Sequence, residues 1–154
     1  MVSKRERRKD RLFRVGNRIH NWVFTKSKGR VFGRAGGMAV VLLHTVGAKS
    51  GQPRQTMLTA PVIEPDGRGG ERIVLVASFG GDRRNPAWFH NLVAQPNVSV
   101  TRAGKVHPVV ARVADDDERA RLWPRITEAY KGYSGYQAKT DRTIPVVILE
   151  PRFG

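Results

Sequence analysis

The chain has 154 residues, with 28 lysines and arginines against 13 aspartates and glutamates, for a net charge of +15. Without cysteine it can hold no disulfide scaffold, thiolate zinc site, iron–sulfur cluster or cysteine nucleophile. No apolar run reaches the roughly 20 residues that a membrane-spanning helix needs. A 40% hydrophobic composition with three tryptophans marks a globular domain, and the N-terminus lacks the apolar core of a secretory signal. The expected setting is therefore cytoplasmic.

The charge is unevenly spread. Residues 1–34 hold twelve basic residues against Glu6 and Asp10, a net +10 that leaves only +5 for the rest of the chain. Two regions are expected: a basic N-terminal extension over 1–34 and a folded domain over 35–154. Within the extension Leu12, Val15, Ile19, Trp22 and Val23 fall on one face of a helix, and Arg11, Arg14 and Arg18 on the other. Such a helix can pack on its own domain. It can also lie on an anionic membrane surface, peripheral to the inner face of the cell membrane, with Trp22 and Phe24 at the interface. Nucleic acid is disfavoured, because no base-reading motif accompanies the charge.

The body reads mainly as strands. Short β-branched runs predict strands over 38–44, 56–63, 72–78, 98–102, 106–113 and 144–150. Pro65-Asp66-Gly67 and Gly69-Gly70 turn one hairpin spanning 56–78, and Ala103-Gly104-Lys105 turns another. Asn85 and Pro86 predict a capped helix start before Trp88, and Pro96 its end. Asp115 to Glu118 place negative charge at the start of a helix reaching about Tyr130, matching its dipole. The predicted fold is α+β, mainly β: an antiparallel barrel of about six strands with inserted helices.

Four segments carry candidate chemistry. The loop 47–54 (GAKSGQPR) presents Lys49, Ser50 and Arg54 between glycines. It departs from the nucleotide-triphosphate loop pattern and leads into a strand, so it is either a phosphate cradle or an ordinary hairpin loop. Ala77, Ser78, Phe79, Gly80 and Gly81 form a turn that admits close approach. Next comes the helix bearing Trp88, His90 and Asn91. No second ligand sits at metal-binding spacing from His90, so no metal is expected. Finally, Tyr130, Tyr133 and Tyr136 are all the tyrosines of the chain, spaced by three and interleaved with Gly132 and Gly135 in what reads as a helix-ending turn. Tyrosine joins an apolar body to a hydroxyl that is neutral at pH 7, which suits either a planar ligand or packing. No hydrolytic triad or carboxylate pair stands out, so any hard chemistry falls to a cofactor.

Jointly, the stretches LLHTVGAKSGQPR, VLVASFGGDRRNPAWFHNL and AYKGYSGYQAKTDRTIPVVILEP resemble the deazaflavin (F-420)-dependent nitroreductase and quinone reductase family, over residues 38–151. The resemblance implies a split β-barrel of the FMN-binding kind. It implies hydride transfer from reduced coenzyme F-420 to a quinone, nitroaromatic or similar planar acceptor. By motif position, Lys49, Ser50 and Arg54 would contact the phosphodiester end of the coenzyme, and Thr56 and Leu58 would line its groove. Ala77, Ser78, Phe79, Gly80 and Gly81 would lie against the ring, and Trp88 and Asn91 belong to the adjacent helix, Trp88 in a mainly structural role. Tyr130, Tyr133 and Tyr136 would border the acceptor, with Tyr133 first as hydrogen-bond donor and Ser78 beside it. Members often carry lysine or asparagine at the position of Phe79 and tyrosine near Ala60, both close to the expected ring site. The alternatives are an FMN-dependent split-barrel oxidoreductase and a non-catalytic carrier of a deazaflavin or apolar ligand.

Overall fold

The computed structural model describes residues 34, 35 and 37–152. The expected basic helix lies outside these residues, so its packing is not addressed. One antiparallel sheet contains β1 (Arg34–Ala35), β2 (Met38–Val46), β3 (Pro53–Ala60), β4 (Val62–Pro65), β5 (Glu71–Val76), β6 (Asn97–Arg102), β7 (Lys105–Val113) and β8 (Val146–Pro151). Three helices, α1 (Ala87–Ala94), α2 (Asp116–Ala129) and α3 (Gly132–Ala138), interrupt the strands. Among the described residues no helix is long and apolar enough to cross a membrane.

The strand expected over 56–63 is two strands with different partners. β3 pairs with β2, from Ala39↔Ala60 to Val46↔Pro53. β4 pairs with β5, from Val62↔Val74 to Pro65↔Glu71. Pro61 separates them: it has no N–H to give to a ladder. The chain therefore passes at Pro61 from one end of the strand order to the other, which curls the sheet into a split barrel. The expected 56–78 hairpin is thus shorter, and the loop before β3 turns a separate hairpin from β2.

Strands β5 and β8 are buried on both faces, which is why their sequences are continuous apolar runs and not alternations. Ile73, Leu75, Val147 and Leu149 face the barrel interior with Val41, Leu43, Trp88 and Leu92. Val74, Val76, Val146 and Ile148 face outward and are covered by Leu122 and Ile126 of α2 and Tyr133 of α3. Each such aliphatic side chain contributes about 1.5–3 kcal/mol by leaving water. Helices α2 and α3 are thereby fixed on the barrel wall, which puts the three tyrosines beside the end of β5.

Helix α2 begins as its acidic start predicts. Asp115 Oδ1 accepts from Glu118 N at 2.8 Å, and Glu118 Oε1 accepts from Asp115 N at 3.2 Å, a reciprocal capping box. Arg112 also grips the Glu118 carboxylate with two donors at 2.6 and 2.8 Å. Those bonds hold the Glu118 pKa down at about 2 from its usual 4.5. A depressed carboxyl pKa stabilises the fold above the unfolded value, and the contribution is lost as pH falls from 4.5 towards 2. Glu118→Gln is expected to cost about 1–2 kcal/mol at neutral pH. It should also flatten stability between pH 4.5 and 2, as read by thermal melts across that range.

Helix α1 differs at its start. Pro86, in extended conformation, is the residue before the helix, and no side chain caps it. Asn85, expected as the cap, instead accepts from Arg142 Nη1 at 2.8 Å. The long-range guanidinium is a charged donor and outcompetes a local backbone N–H.

Candidate functional site

The β2–β3 loop is built on its own backbone and anchored from α1. Gly47 N donates to Gln52 O at 2.8 Å and Gly51 N to Gly47 O at 2.9 Å. Ser50 Oγ accepts from Gln52 N at 3.2 Å and from Arg54 Nη2 at 3.3 Å. Lys49, Ser50 and Arg54 are exposed, and among the described residues neither cation lies within ion-pair distance of a carboxylate. By contrast, Arg121 and Arg125 pair with Glu64, and Arg72 and Arg112 with Glu150. The two loop cations are thus available to an anion.

Asn91 holds this loop to the helix. Its Oδ1 accepts from Ala48 N at 2.9 Å, and its Nδ2 lies 3.4 Å from the Oγ1 of buried Thr45. Asn91 therefore acts on the loop backbone. Asn91→Ala removes the partner of the Ala48 amide, and loop order, measured by hydrogen exchange at 47–52, is expected to fall. The fold should lose about 1 kcal/mol.

The second component is the turn after β5. Phe79 and Gly80 adopt φ of 47° and 63°, and Gly81 has φ of 81°. For phenylalanine that left-handed conformation costs about 1–3 kcal/mol and must be held by its surroundings. Gly81 is required twice over: by its φ, and because a Cβ there would stand 2.8 Å from the Tyr136 carbonyl oxygen. The turn thus presses directly on α3.

The third component is the tyrosine cluster. The expected helix-ending turn contains a further short helix: Tyr130 ends α2, and Tyr133 and Tyr136 lie one turn apart on α3. Their rings pack at centroid distances of 5.4 Å (130–133), 6.1 Å (133–136) and 6.3 Å (130–136), the first two edge to face. Gly132 lets the Tyr130 ring lie against the backbone, where any Cβ would collide with it. Exposure grades across the cluster: Tyr130 is 41% exposed and Tyr133 only 5%. The Tyr133 hydroxyl shares a 3.0 Å hydrogen bond with Thr59 Oγ1 on β3. Burial raises the Tyr133 pKa, and a hydrogen bond with Tyr130 raises that of Tyr136. Both hydroxyls are neutral donors throughout the neutral range.

The structure thus unites Lys49, Ser50, Arg54 and Asn91 at one end of β3, and the tyrosines with residues 79–81 near the other. Arg54 and Thr59 are five positions apart on that strand, about 17 Å. The other expected residues lie elsewhere. Ala77 is fully buried in the barrel core, its N–H bonded to Pro145 O at 3.0 Å. Trp88 is also buried there, which agrees with a structural role. Leu58 packs on the barrel interior; it, Thr56 and Arg54 occupy the face of β3 opposite to Thr59, because strand side chains alternate. Ser78 is half-buried, and its carbonyl accepts from Gly81 N and from Arg142 Nη2, both at 3.0 Å. Sequence reasoning missed Thr59, Gln137 and Arg142, whose contacts span long sequence separations.

The described residues thus combine a split barrel with an exposed cationic hairpin loop, a strained glycine turn and a tyrosine hydroxyl cluster, a site suited to holding a cofactor that brings the redox chemistry. Residues 16–151 match the model of the F-420H2-dependent quinone reductases. The chain belongs to that family. An F-420H2-dependent quinone reductase of Mycobacterium tuberculosis is 40% identical over 139 residues, covering 88% of this chain and 89% of the relative. A solved F-420-H2-dependent reductase, FDR-A, is 43% identical, with a TM-score of 0.62 over 72% of this chain and 93% of that one. A second structure, described as a domain-swapped dimer, is 38% identical, with a TM-score of 0.62 over 85% and 98%.

Proposed function

We propose that this protein passes a hydride from reduced F-420 to a quinone, with nitroaromatics as further two-electron acceptors. One observation carries the reading. The loop before β3 and the start of β3 carry Lys49 and Arg54 without carboxylate partners, and further along the strand, on its other face, Thr59 meets the buried Tyr133 hydroxyl. An elongated coenzyme with an anionic tail and a planar head matches that separation of charge from hydroxyls.

The donor set fits such a coenzyme. Lys49 and Arg54 would hold the phosphodiester, Arg54 through its guanidinium fork, with Ser50 orienting that fork. The partly buried backbone at Gly80 has open space where a Cβ would stand, so a flat group can approach it closely. Held there, reduced F-420 would supply a hydride, the two-electron equivalent that a quinone requires. The chain supplies the rest. Tyr130, Tyr133 and Tyr136 wall off water and aim neutral hydroxyls at the acceptor oxygen, where negative charge develops. Thr59 keeps the Tyr133 hydroxyl oriented before the acceptor arrives. Phe79 makes the turn beside this wall more apolar and favours an apolar acceptor.

Quinones partition into membranes, and the +10 extension over 1–34 would hold the site near an anionic lipid surface. Co-sedimentation with anionic vesicles that is absent with zwitterionic ones supports that arrangement. Catalysis is tested by mixing the full chain with reduced F-420 and menadione without oxygen. Menadione-dependent return of the oxidised coenzyme's absorbance is expected, and its absence at saturating coenzyme would overturn the reading.

A further inference from the structure

Arg142 belongs to none of the three components above, yet it touches the frame of two. It lies in the segment between α3 and β8. Its Nε donates to Asp82 O at 2.9 Å, Nη1 to Asn85 Oδ1 at 2.8 Å, and Nη2 to Ala77 O and Ser78 O at 3.2 and 3.0 Å. All four acceptors belong to residues 77–85. The guanidinium thus spans both sides of the strained turn, and burial lowers its pKa without making it neutral.

The same residue is tied back to α3. Gln137, next to Tyr136, donates through Nε2 to Arg142 O at 2.7 Å. Gln137 Oε1 accepts from Ile144 N at 2.9 Å and from Arg119 Nη2 of α2 at 3.0 Å. Arg119 also donates to Ile144 O at 3.1 Å and stacks 4.3 Å from the Trp123 ring centroid. Turn 77–85 and the tyrosine helix therefore share one polar frame, and Gly81 against Tyr136 closes it by direct contact.

We propose that Arg142 is a positioning residue that locks the glycine turn to the tyrosine helix, so that the surface for the coenzyme ring and the hydroxyls for the acceptor keep a fixed spacing. This rests on the proposed function for its consequence in catalysis, but not for the coupling itself. The phosphodiester loop lies outside the frame, since Asn91 and its own backbone hold it. Loss of Arg142 should accordingly disturb alignment and spare anchorage. Hydride transfer tolerates misalignment poorly, and a displacement of about 1 Å costs on the order of 100-fold in rate. Lysine, with one compact donor head, cannot reach acceptors distributed over Ala77, Ser78, Asp82 and Asn85.

The test compares the full-length protein with Arg142→Lys and Gln137→Ala, first by hydrogen exchange without coenzyme. Both variants are expected to speed exchange at 77–85 and at 132–138 together, leaving 53–60 unchanged. In turnover with reduced F-420 and menadione, Arg142→Lys should lower kcat about 10- to 100-fold while the dissociation constant for oxidised F-420 stays within about twofold. Faster exchange in one segment without the other overturns the coupling, and unchanged kcat in Arg142→Lys overturns the positioning role in catalysis. If Arg142→Lys fails to fold, Gln137→Ala alone decides by the same two-segment exchange. A wild-type protein that does not bind F-420 sinks the functional reading while the exchange result still stands or falls on its own.

Discussion

Tyr133→Phe is expected to lower kcat for quinone reduction by about 100- to 1,000-fold, the typical effect of one donor aimed at a developing oxyanion. Three features single out this tyrosine. It is the most buried of the cluster, its hydroxyl is held by Thr59 at 3.0 Å, and burial keeps its pKa above 10. A hydrogen bond in a water-poor site is worth more than the same bond at the surface, where Tyr130 sits. Phenylalanine keeps the ring packing against Tyr130 and Tyr136, so the fold should lose about 1 kcal/mol, from the bond to Thr59 and the weaker one to Met38 Sδ at 3.9 Å. The variant should bind oxidised F-420 as the parent does, which separates a lost donor from a lost site. Because the hydroxyl stays protonated below its raised pKa, the parent's kcat should be flat across the neutral range and fall only in strong alkali. Tyr130→Phe should have a much smaller effect, and Thr59→Val an intermediate one. Equal rates for Tyr133→Phe and the parent would remove the hydroxyl from the mechanism.

Arg54→Ala should instead act on binding. A charge-assisted bond to a phosphate is worth about 1.5–3 kcal/mol, so the dissociation constant for F-420 should rise roughly 10- to 100-fold. Its bonds to Pro53 O at 3.2 Å and Ser50 Oγ at 3.3 Å are exposed, and stability should move by less than about 0.5 kcal/mol. The kcat at saturating coenzyme should not change, because Arg54 and the tyrosines meet β3 at different ends. Binding by the parent should weaken with salt, and more steeply than binding by the variant. A drop in kcat with unchanged affinity would mean that the loop does not anchor the coenzyme.

Much of this architecture is legible in the residues because it depends on local pattern. The β-branched runs of β2, β5 and β8 and the turn residues at 65–70 and 103–105 mark their elements directly. So does the Asp115–Glu118 box, whose two halves are three residues apart. The tyrosines announce themselves by spacing. The break at Pro61 does not, because Thr56–Ala60 and Val62–Ile63 are equally strand-forming, and only the change of partner from β2 to β5 separates them. The roles of Thr59 and Arg142 are likewise hidden. Thr59 meets Tyr133 74 positions away, and Arg142 reaches acceptors 57 to 65 positions away. Each residue is unremarkable until the barrel closes. Asn85 does not cap its helix for the same reason: the local signal is genuine, and a distant guanidinium overrides it.

Membership of the F-420H2-dependent quinone reductases predicts a site that takes a deazaflavin in preference to an isoalloxazine. Titration of the full chain with oxidised F-420, alongside FMN and FAD, tests it most directly. Saturable binding of F-420 that weakens in Arg54→Ala, with FMN and FAD binding much more weakly, is the expected result. No F-420 binding at tens of micromolar, or tight FMN binding that F-420 cannot displace, would contradict it.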